Sequence, residues 1–287
     1  MNDPRRAALR APDVAWPTVF LALLVPLAWL ATLVLGASGR MPLPAAVALA
    51  SALAYLTFTP LHDATHRAVV RRRWLNDLLG RIAGIPLLAP FPAFRVMHLD
   101  HHKHVNEEEA DPDLWSGSGP SLLLPLRWAT QDLHYYARFF RERERFSRAE
   151  QVEIVALVGA QVLLGLAAVA SGKGLLFLLL VLLPARLATA ALAFAFDYLP
   201  HRPHRIPARE DRFRATHILR GRWLTLPLMA QNYHLVHHLY PAVPFYGYGK
   251  VWHLYREDLL AQGAREVPLW GRELAEPEPE ATPALAT

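Results

Sequence analysis

The sequence predicts an all-α integral membrane protein. Four transmembrane helices pair into two hairpins, and a cytoplasmic helical cap holds a histidine-rich di-metal site. Three observations predict this class. Long apolar runs lie at 17–36, 43–61, 152–171 and 174–197, each near the roughly 20 residues that cross a bilayer. Of the 30 Lys and Arg residues, 27 gather on one side of those runs: three before the first, 13 across 62–151 and 11 across 198–287. Histidines recur as His62-x-x-x-His66, His98-x-x-His101-His102 and His234-x-x-His237-His238.

Each element follows in chain order. Residues 1–16 read as a basic, partly disordered lead-in with Arg5, Arg6 and Arg10. Spans one and two form a hairpin whose turn carries only Arg40, and Ser171-Gly172-Lys173-Gly174 joins spans three and four. Lys and Arg accumulate in cytoplasmic loops. Both termini and all three clusters are therefore expected in the cytoplasm, with a bacterial inner membrane as the location. The first span ends without a small-residue cleavage motif and reads as an uncleaved anchor. Residues 74–96 are apolar but broken by Pro86, Pro90 and Pro92, which predicts an interfacial helix and a turn rather than a span.

Residues 104–121 form a polar loop with Glu107-Glu108-Glu109 and Asp111-Pro112-Asp113. Residues 122–149 mix Trp128, Tyr135, Tyr136, Phe139 and Phe140 with Arg138, Arg141, Arg143 and Arg145. That mixture predicts an amphipathic interfacial helix. Residues 205–233 belong to the cap. One domain is expected over 1–265, followed by a disordered Pro/Glu/Ala tail over 266–287, which lacks the apolar residues to bury a core.

Composition narrows the chemistry. The 287-residue chain is 53% hydrophobic, above the usual share for a soluble domain. It has no cysteine, which excludes disulfides, iron–sulfur ligation and thiolate zinc sites. The net charge of +5 sits beside the spans and reads as membrane bias, so no nucleic acid is expected. Imidazole suits iron, zinc, copper and nickel. At helical spacings of three and four, imidazoles share one face roughly 5–6 Å apart. Chance gives about 0.03 His-x-x-His-His matches in a chain of this histidine content, and two are present. Eight histidines from three segments are too many for one mononuclear site. Zinc has no redox chemistry and usually takes four ligands; eight or nine divide well between two irons.

The flanking residues carry a resemblance. The segments are His62-Asp63-Ala64-Thr65-His66, His101-His102-Lys103-His104-Val105-Asn106 with Asp111-Pro112-Asp113, Phe196-Asp197-Tyr198-Leu199-Pro200-His201-Arg202-Pro203, and Gln231-Asn232-Tyr233-His234-Leu235-Val236-His237-His238-Leu239-Tyr240-Pro241. Over roughly residues 55–250 the chain resembles the membrane fatty acid desaturase/hydroxylase superfamily. Within it, the segment after span four and the third cluster look like the desaturase-type β-carotene hydroxylases.

That resemblance implies two iron ions held by His62, His66, His98, His101, His102, His234, His237 and His238, with His201 as a ninth ligand. It implies dioxygen as cosubstrate and hydroxylation of carotenoid β-ionone rings at carbon 3, taking β-carotene to zeaxanthin. A fatty acyl or lipid desaturase on the same scaffold is the alternative. A histidine-rich membrane metal transporter or scaffold is more distant, because transporters place such groups within spans near the midplane. Family members often carry another histidine after the first cluster; Val69 and Val70 stand there in this chain.

The remaining expectations concern supporting residues. The sequence contains no His-Pro-Gly-Gly haem module and no Gly-rich dinucleotide fingerprint. External electrons are therefore expected from a ferredoxin-like donor and its reductase, with Arg141, Arg143 and Arg145 as a docking face. Asp63, Asp197 and Asn232 are candidates to orient imidazoles by accepting their second N–H, and His204 lies one turn from His201. His104 is expected beside the metal set. His134, His217 and His253 read as surface or interfacial positions. Arg186, inside a span, needs a partner, for which Asp197 is a candidate.

Overall fold

A computed structural model describes residues 4–270. Among the described residues, four helices are long and apolar enough to cross a membrane: α2 (Trp16–Ala37), α3 (Leu43–Thr65), α8 (Arg148–Ala170) and α9 (Gly174–Tyr198). The protein is an integral membrane protein built as two hairpins. The segments that join and follow them on one side form the cap. These are α4 (Arg73–Gly84), α5 (Phe91–His104), α6 (Leu124–Ala129), α7 (Gln131–Arg141), α10 (His234–Leu239) and α11 (Tyr248–Ala261).

Small residues make the first hairpin tight. Ala46, Ala50 and Ala54 repeat every four positions on α3 and are fully buried. A Cβ placed on Gly36 would lie 2.8 Å from the Ala46 Cβ, so the hairpin closes only with glycine there. Close backbone approach through small residues is how helices associate where no water drives them together. By contrast α8 exposes Val152, Val155, Val162, Leu163, Leu164, Leu166 and Val169, a lipid-facing surface. Its first turn is fixed by a reciprocal cap between Ser147 and Glu150.

Several expectations are revised. The second span runs past residue 61 to Thr65, because its apolar pattern continues through Leu61 and Ala64, and His62 thereby joins a rigid helix. The fourth span contains two π-helical stretches, Leu178–Leu182 and Ala193–Tyr198. In the second, the Leu199 amide donates to the Phe194 carbonyl five residues back (3.0 Å). Such widened turns re-aim the chain and are frequent at functional sites.

The basic lead-in contains a short helix, α1 (Pro4–Ala8); Ala8 and Leu9 pack on the C-terminal core. The tail expected from residue 266 starts instead with a strand. β2 (Glu266–Pro268) pairs in parallel with β1 (Ile218–Arg220), and Val267 is buried against Leu199, Leu219 and Leu224. The expected disorder over 271–287 lies outside the described residues. Arg186 pairs with Asp132 of α7, not with Asp197: its Nη1 donates to Asp132 Oδ1 at 2.5 Å and to the Ala129 carbonyl at 3.1 Å. The costly charge in the span is thereby used to tie α9 to the cap.

Two cores frame the site. One joins α3, α4, α5, α7 and α9 through Phe58, Leu61, Phe91, Phe94, Met97, Phe139 and Phe196. The other, around Leu235, Val236, Tyr248, Val251 and Trp252, holds α10 against α11. A cap stretch links them: the Asn106 side-chain amide donates to the carbonyls of Ile206 (2.9 Å) and Ala215 (2.8 Å).

Candidate metal centre

Four segments deliver nine histidines to one place. His62 sits in the last turn of α3 and His66 at its end. Asn76 of α4 secures that end, donating to the Ala64 carbonyl (2.7 Å) and accepting from the Val69 amide (3.4 Å). On α5, His98, His101 and His102 face inward at spacings of three and four. His201 follows the second π-helical stretch of α9. On α10, His234, His237 and His238 repeat the α5 pattern. Met229 and Ala230, both non-glycine residues at positive φ, turn the chain into this helix.

The imidazoles fall into two sets of four. His62, His66, His98 and His237 place their ligand atoms within 4.8 Å of one another, as do His101, His201, His234 and His238. His102 stands between. Its Nε2 lies 2.8 Å from His237 Nε2 and 3.2 Å from His98 Nε2, and its ring stacks on His238 at 4.3 Å. Other Nε2–Nε2 separations are 3.0 Å for His62–His237, 2.9 Å for His66–His98, 2.9 Å for His201–His234 and 3.0 Å for His234–His238.

This geometry fits bound cations. The His234 Nδ1–H donates to Gln231 Oε1 (2.9 Å), so its Nε2 presents a lone pair toward two other Nε2 atoms. Lone pairs converging at 3 Å repel unless a cation lies among them. Metal–imidazole bonds are about 2.0–2.1 Å, so ligands at right angles stand about 3 Å apart, as found. Burial holds His98, His102, His201, His237 and His238 well below the ordinary histidine pKa, with neighbouring imidazoles adding to the effect. They are neutral and able to ligate near pH 7.

His101 differs. Burial alone would lower it, but the carboxylates of Asp111 and Asp113 raise it to about 9. Its Nδ1–H donates to Asp111 Oδ1 at 2.8 Å. A carboxylate–histidine pair of this kind fixes the tautomer and raises ligand basicity. Asp111 also accepts from the amides of Asn106 (2.8 Å) and Asp113 (2.9 Å), so one side chain shapes the loop and aims the imidazole. Asp113 in turn accepts from the Tyr135 hydroxyl and from Gln131. On the other helix, His237 Nδ1 meets the Tyr248 hydroxyl at 3.0 Å.

Asp111, Asp113, Gln231 and Tyr248 were not evident as supports, although each stands in or beside a quoted segment. Asp-Pro-Asp also suits an ordinary turn, and Tyr248 lies in an aromatic patch ten residues beyond the last cluster. The expected supports take other places. Asp63 Oδ1 is 3.7 Å from His62 Nδ1, beyond hydrogen-bond reach; Asp63 Oδ2 instead accepts from Thr18 Oγ1 (3.0 Å) and the Phe245 amide (3.3 Å). Asp197 makes no hydrogen bond to a histidine among the described residues and lines a cavity. Asn232 is buried, and its Oδ1 accepts no hydrogen bond. His204 stays outside both sets, stacked 6.2 Å from His201.

The lone histidines also sort out. His104 faces Glu107 (3.2 Å), His134 stacks on Trp115 and His253 is exposed. His217, read from sequence as a surface position, is buried, because β1 carries the chain back into the cap one residue later. A mainly apolar cavity between α3, α5, α7 and α9 reaches the histidines at His98; Phe58, Leu61, Phe94, Leu192 and Ala193 line it, and Asp113, Tyr135 and Asp197 lie at its polar side.

Known proteins are similar to this chain in sequence. The chain is 27% identical to the sn-1 oleoyl-lipid 12-desaturase of Anabaena variabilis over 225 residues, 73% of this chain and 54% of that protein. It thus spans about half the length of that relative. It is 28% identical to the β-carotene ketolase of Paracoccus sp. (strain N81106 / MBIC 01143) over 198 residues, 66% of this chain and 70% of the ketolase. The sn-1 acyl-lipid omega-3 desaturase (ferredoxin) of Nostoc sp. (strain 36) is 36% identical over 50 residues, 17% of this chain and 14% of that protein. The sequence model of the fatty acid desaturase family matches residues 38–270, more than half of the chain, and the chain belongs to that family.

Proposed function

We propose that this protein is a membrane di-iron oxygenase that hydroxylates carotenoid β-ionone rings at carbon 3, taking β-carotene to zeaxanthin. The observation that carries the reading is the convergence of nine imidazoles in two sets beside an apolar cavity. His62, His66, His98, His102 and His237 hold one ion, and His101, His201, His234 and His238 hold the other. When bound, a pair of irons supplies activation of dioxygen and oxidation of an unactivated C–H bond.

The chain's own residues do the positioning. Asp111 and Gln231 accept the Nδ1–H of His101 and His234, so that Nε2 of each ring is the atom turned toward the other imidazoles. Phe58, Leu61 and Phe94 exclude water and give an apolar hydrocarbon a wall beside His98. The hydroxyl of Tyr135 and the carboxylates of Asp113 and Asp197 form the polar edge of that wall. Electrons come from a ferredoxin-like donor and its reductase; the Nostoc relative is named as a ferredoxin-dependent desaturase. The metal site and both termini face the cytoplasm, in a bacterial inner membrane.

The alignment with the β-carotene ketolase covers 70% of that relative, which favours a carotenoid. The longer match to the oleoyl-lipid desaturase supports a second reading, desaturation of a lipid acyl chain by the same centre. Expression in a β-carotene-accumulating host separates the two. The first reading gives zeaxanthin and unchanged fatty acids; new double bonds in the lipids without carotenoid conversion establish the second.

A further inference from the structure

The cap offers a route to the histidines from its polar face. A groove lined by Val105, Ala208, Ala215 and Leu239 has His102 and His238 on its floor, with Lys103, Arg209 and Arg212 among its lining residues. These two imidazoles and His66 are partly exposed, whereas His62, His98, His101, His201, His234 and His237 are buried; His66 does not line this groove. His102 and His238 are also the pair that joins the two sets: their rings stack at 4.3 Å, His102 reaches His237 at 2.8 Å, and His238 reaches His234 at 3.0 Å. Lys103, Arg209 and Arg212 are exposed. Arg209 lies 3.7 Å from Glu107 with most of its side chain in solvent, and the carboxylate of Asp211 is turned onto the Phe213 amide (2.9 Å).

We infer that this groove is where an acidic one-electron carrier protein docks, with Lys103, Arg209 and Arg212 at its rim and the stacked His102–His238 pair as the entry point for electrons. The inference rests on the proposed redox function and says where reduction occurs. An anionic surface is drawn to a basic rim, which speeds encounter and sets orientation. A carrier seated there meets imidazoles that touch both histidine sets, so an electron has a short path through stacked and adjoining rings to either. Of the arginines favoured by the sequence, Arg145 is already engaged: it binds Asp100 and Glu142, both at 2.6 Å. None of Arg141, Arg143 and Arg145 lines this groove.

The test uses full-length protein in detergent, loaded with iron, and a plant-type [2Fe–2S] ferredoxin kept reduced by its reductase. Ferredoxin-driven and dithionite-driven reduction of the metal centre are followed by stopped flow. The variant Lys103→Glu/Arg209→Glu/Arg212→Glu should take electrons from ferredoxin about tenfold more slowly at low salt, lose most of the salt dependence, and keep its iron content and dithionite rate. Arg141→Glu/Arg143→Glu should behave as wild type. Unchanged ferredoxin kinetics in the groove variant, or slowing confined to the Arg141/Arg143 variant, overturns the docking site. Loss of iron or of the dithionite reaction in the groove variant also overturns it, because the residues would then be structural. A wild-type centre that dithionite does not reduce refutes the redox reading itself and is distinct from these outcomes.

Discussion

Asp111 shows how one carboxylate can govern a cluster of imidazoles. It accepts the His101 Nδ1–H and two backbone amides, so the loop and the ring are set together. Asp111→Asn keeps the size and shortens the list of good acceptors. Iron affinity or turnover should fall about 10- to 100-fold, measured as iron retained against a chelator and as product formed. Tyr248→Phe removes a neutral hydroxyl from His237 Nδ1 and from Gln231 and should cost less on the same assay. His237 belongs to one set and touches His102, so His237→Ala should abolish turnover and lower iron together. The eight clustered histidines were legible from sequence because their spacing is local and repeats, whereas His201 was legible only through the resemblance. Their supports were not, since Asp111 and Tyr248 are identified by which atom they meet across the fold, and a carboxylate before proline reads as a turn.

At the scale of elements, the site depends on how closely α4 and α5 approach α3. A Cβ on Gly84 would stand 2.3 Å from the Ala89 carbonyl oxygen, a backbone atom that cannot swing aside. Gly84→Ala should therefore destabilise the protein by about 1–3 kcal/mol, read as a lower thermal midpoint in detergent, and should displace the start of α5. Gly159 of α8 has nothing within 4 Å of its Cβ position. Gly159→Ala should leave the midpoint unchanged or raise it slightly, since glycine costs a helix about 0.8–1.0 kcal/mol relative to alanine. Apolar length and punctuation revealed the four spans. The π-helical stretches of α9 and the strand pair β1–β2 were hidden, because both arise from contacts between distant segments rather than from periodicity.

The whole molecule is a membrane hairpin pair with its chemistry on one side. From the Lys and Arg bias we propose that this side is cytoplasmic. The chain has no cysteine, so single introduced thiols report orientation without background. In intact cells Arg40→Cys and Lys173→Cys should react with a membrane-impermeant maleimide, whereas Glu144→Cys should react only after the membrane is opened. The reverse pattern would invert the topology and move the donor to the other compartment. Fold class was legible from composition and charge; the pairing of Arg186 with Asp132 was not, because it is a choice among several buried acids that only the packed cap decides.

Metal analysis of the purified full-length protein tests the central claim most directly. A di-iron centre gives two irons per chain with the spectrum of a coupled pair, dioxygen consumption on reduction, and loss of both irons on replacing His101 and His237. One labile zinc per chain with no dioxygen consumption would contradict it.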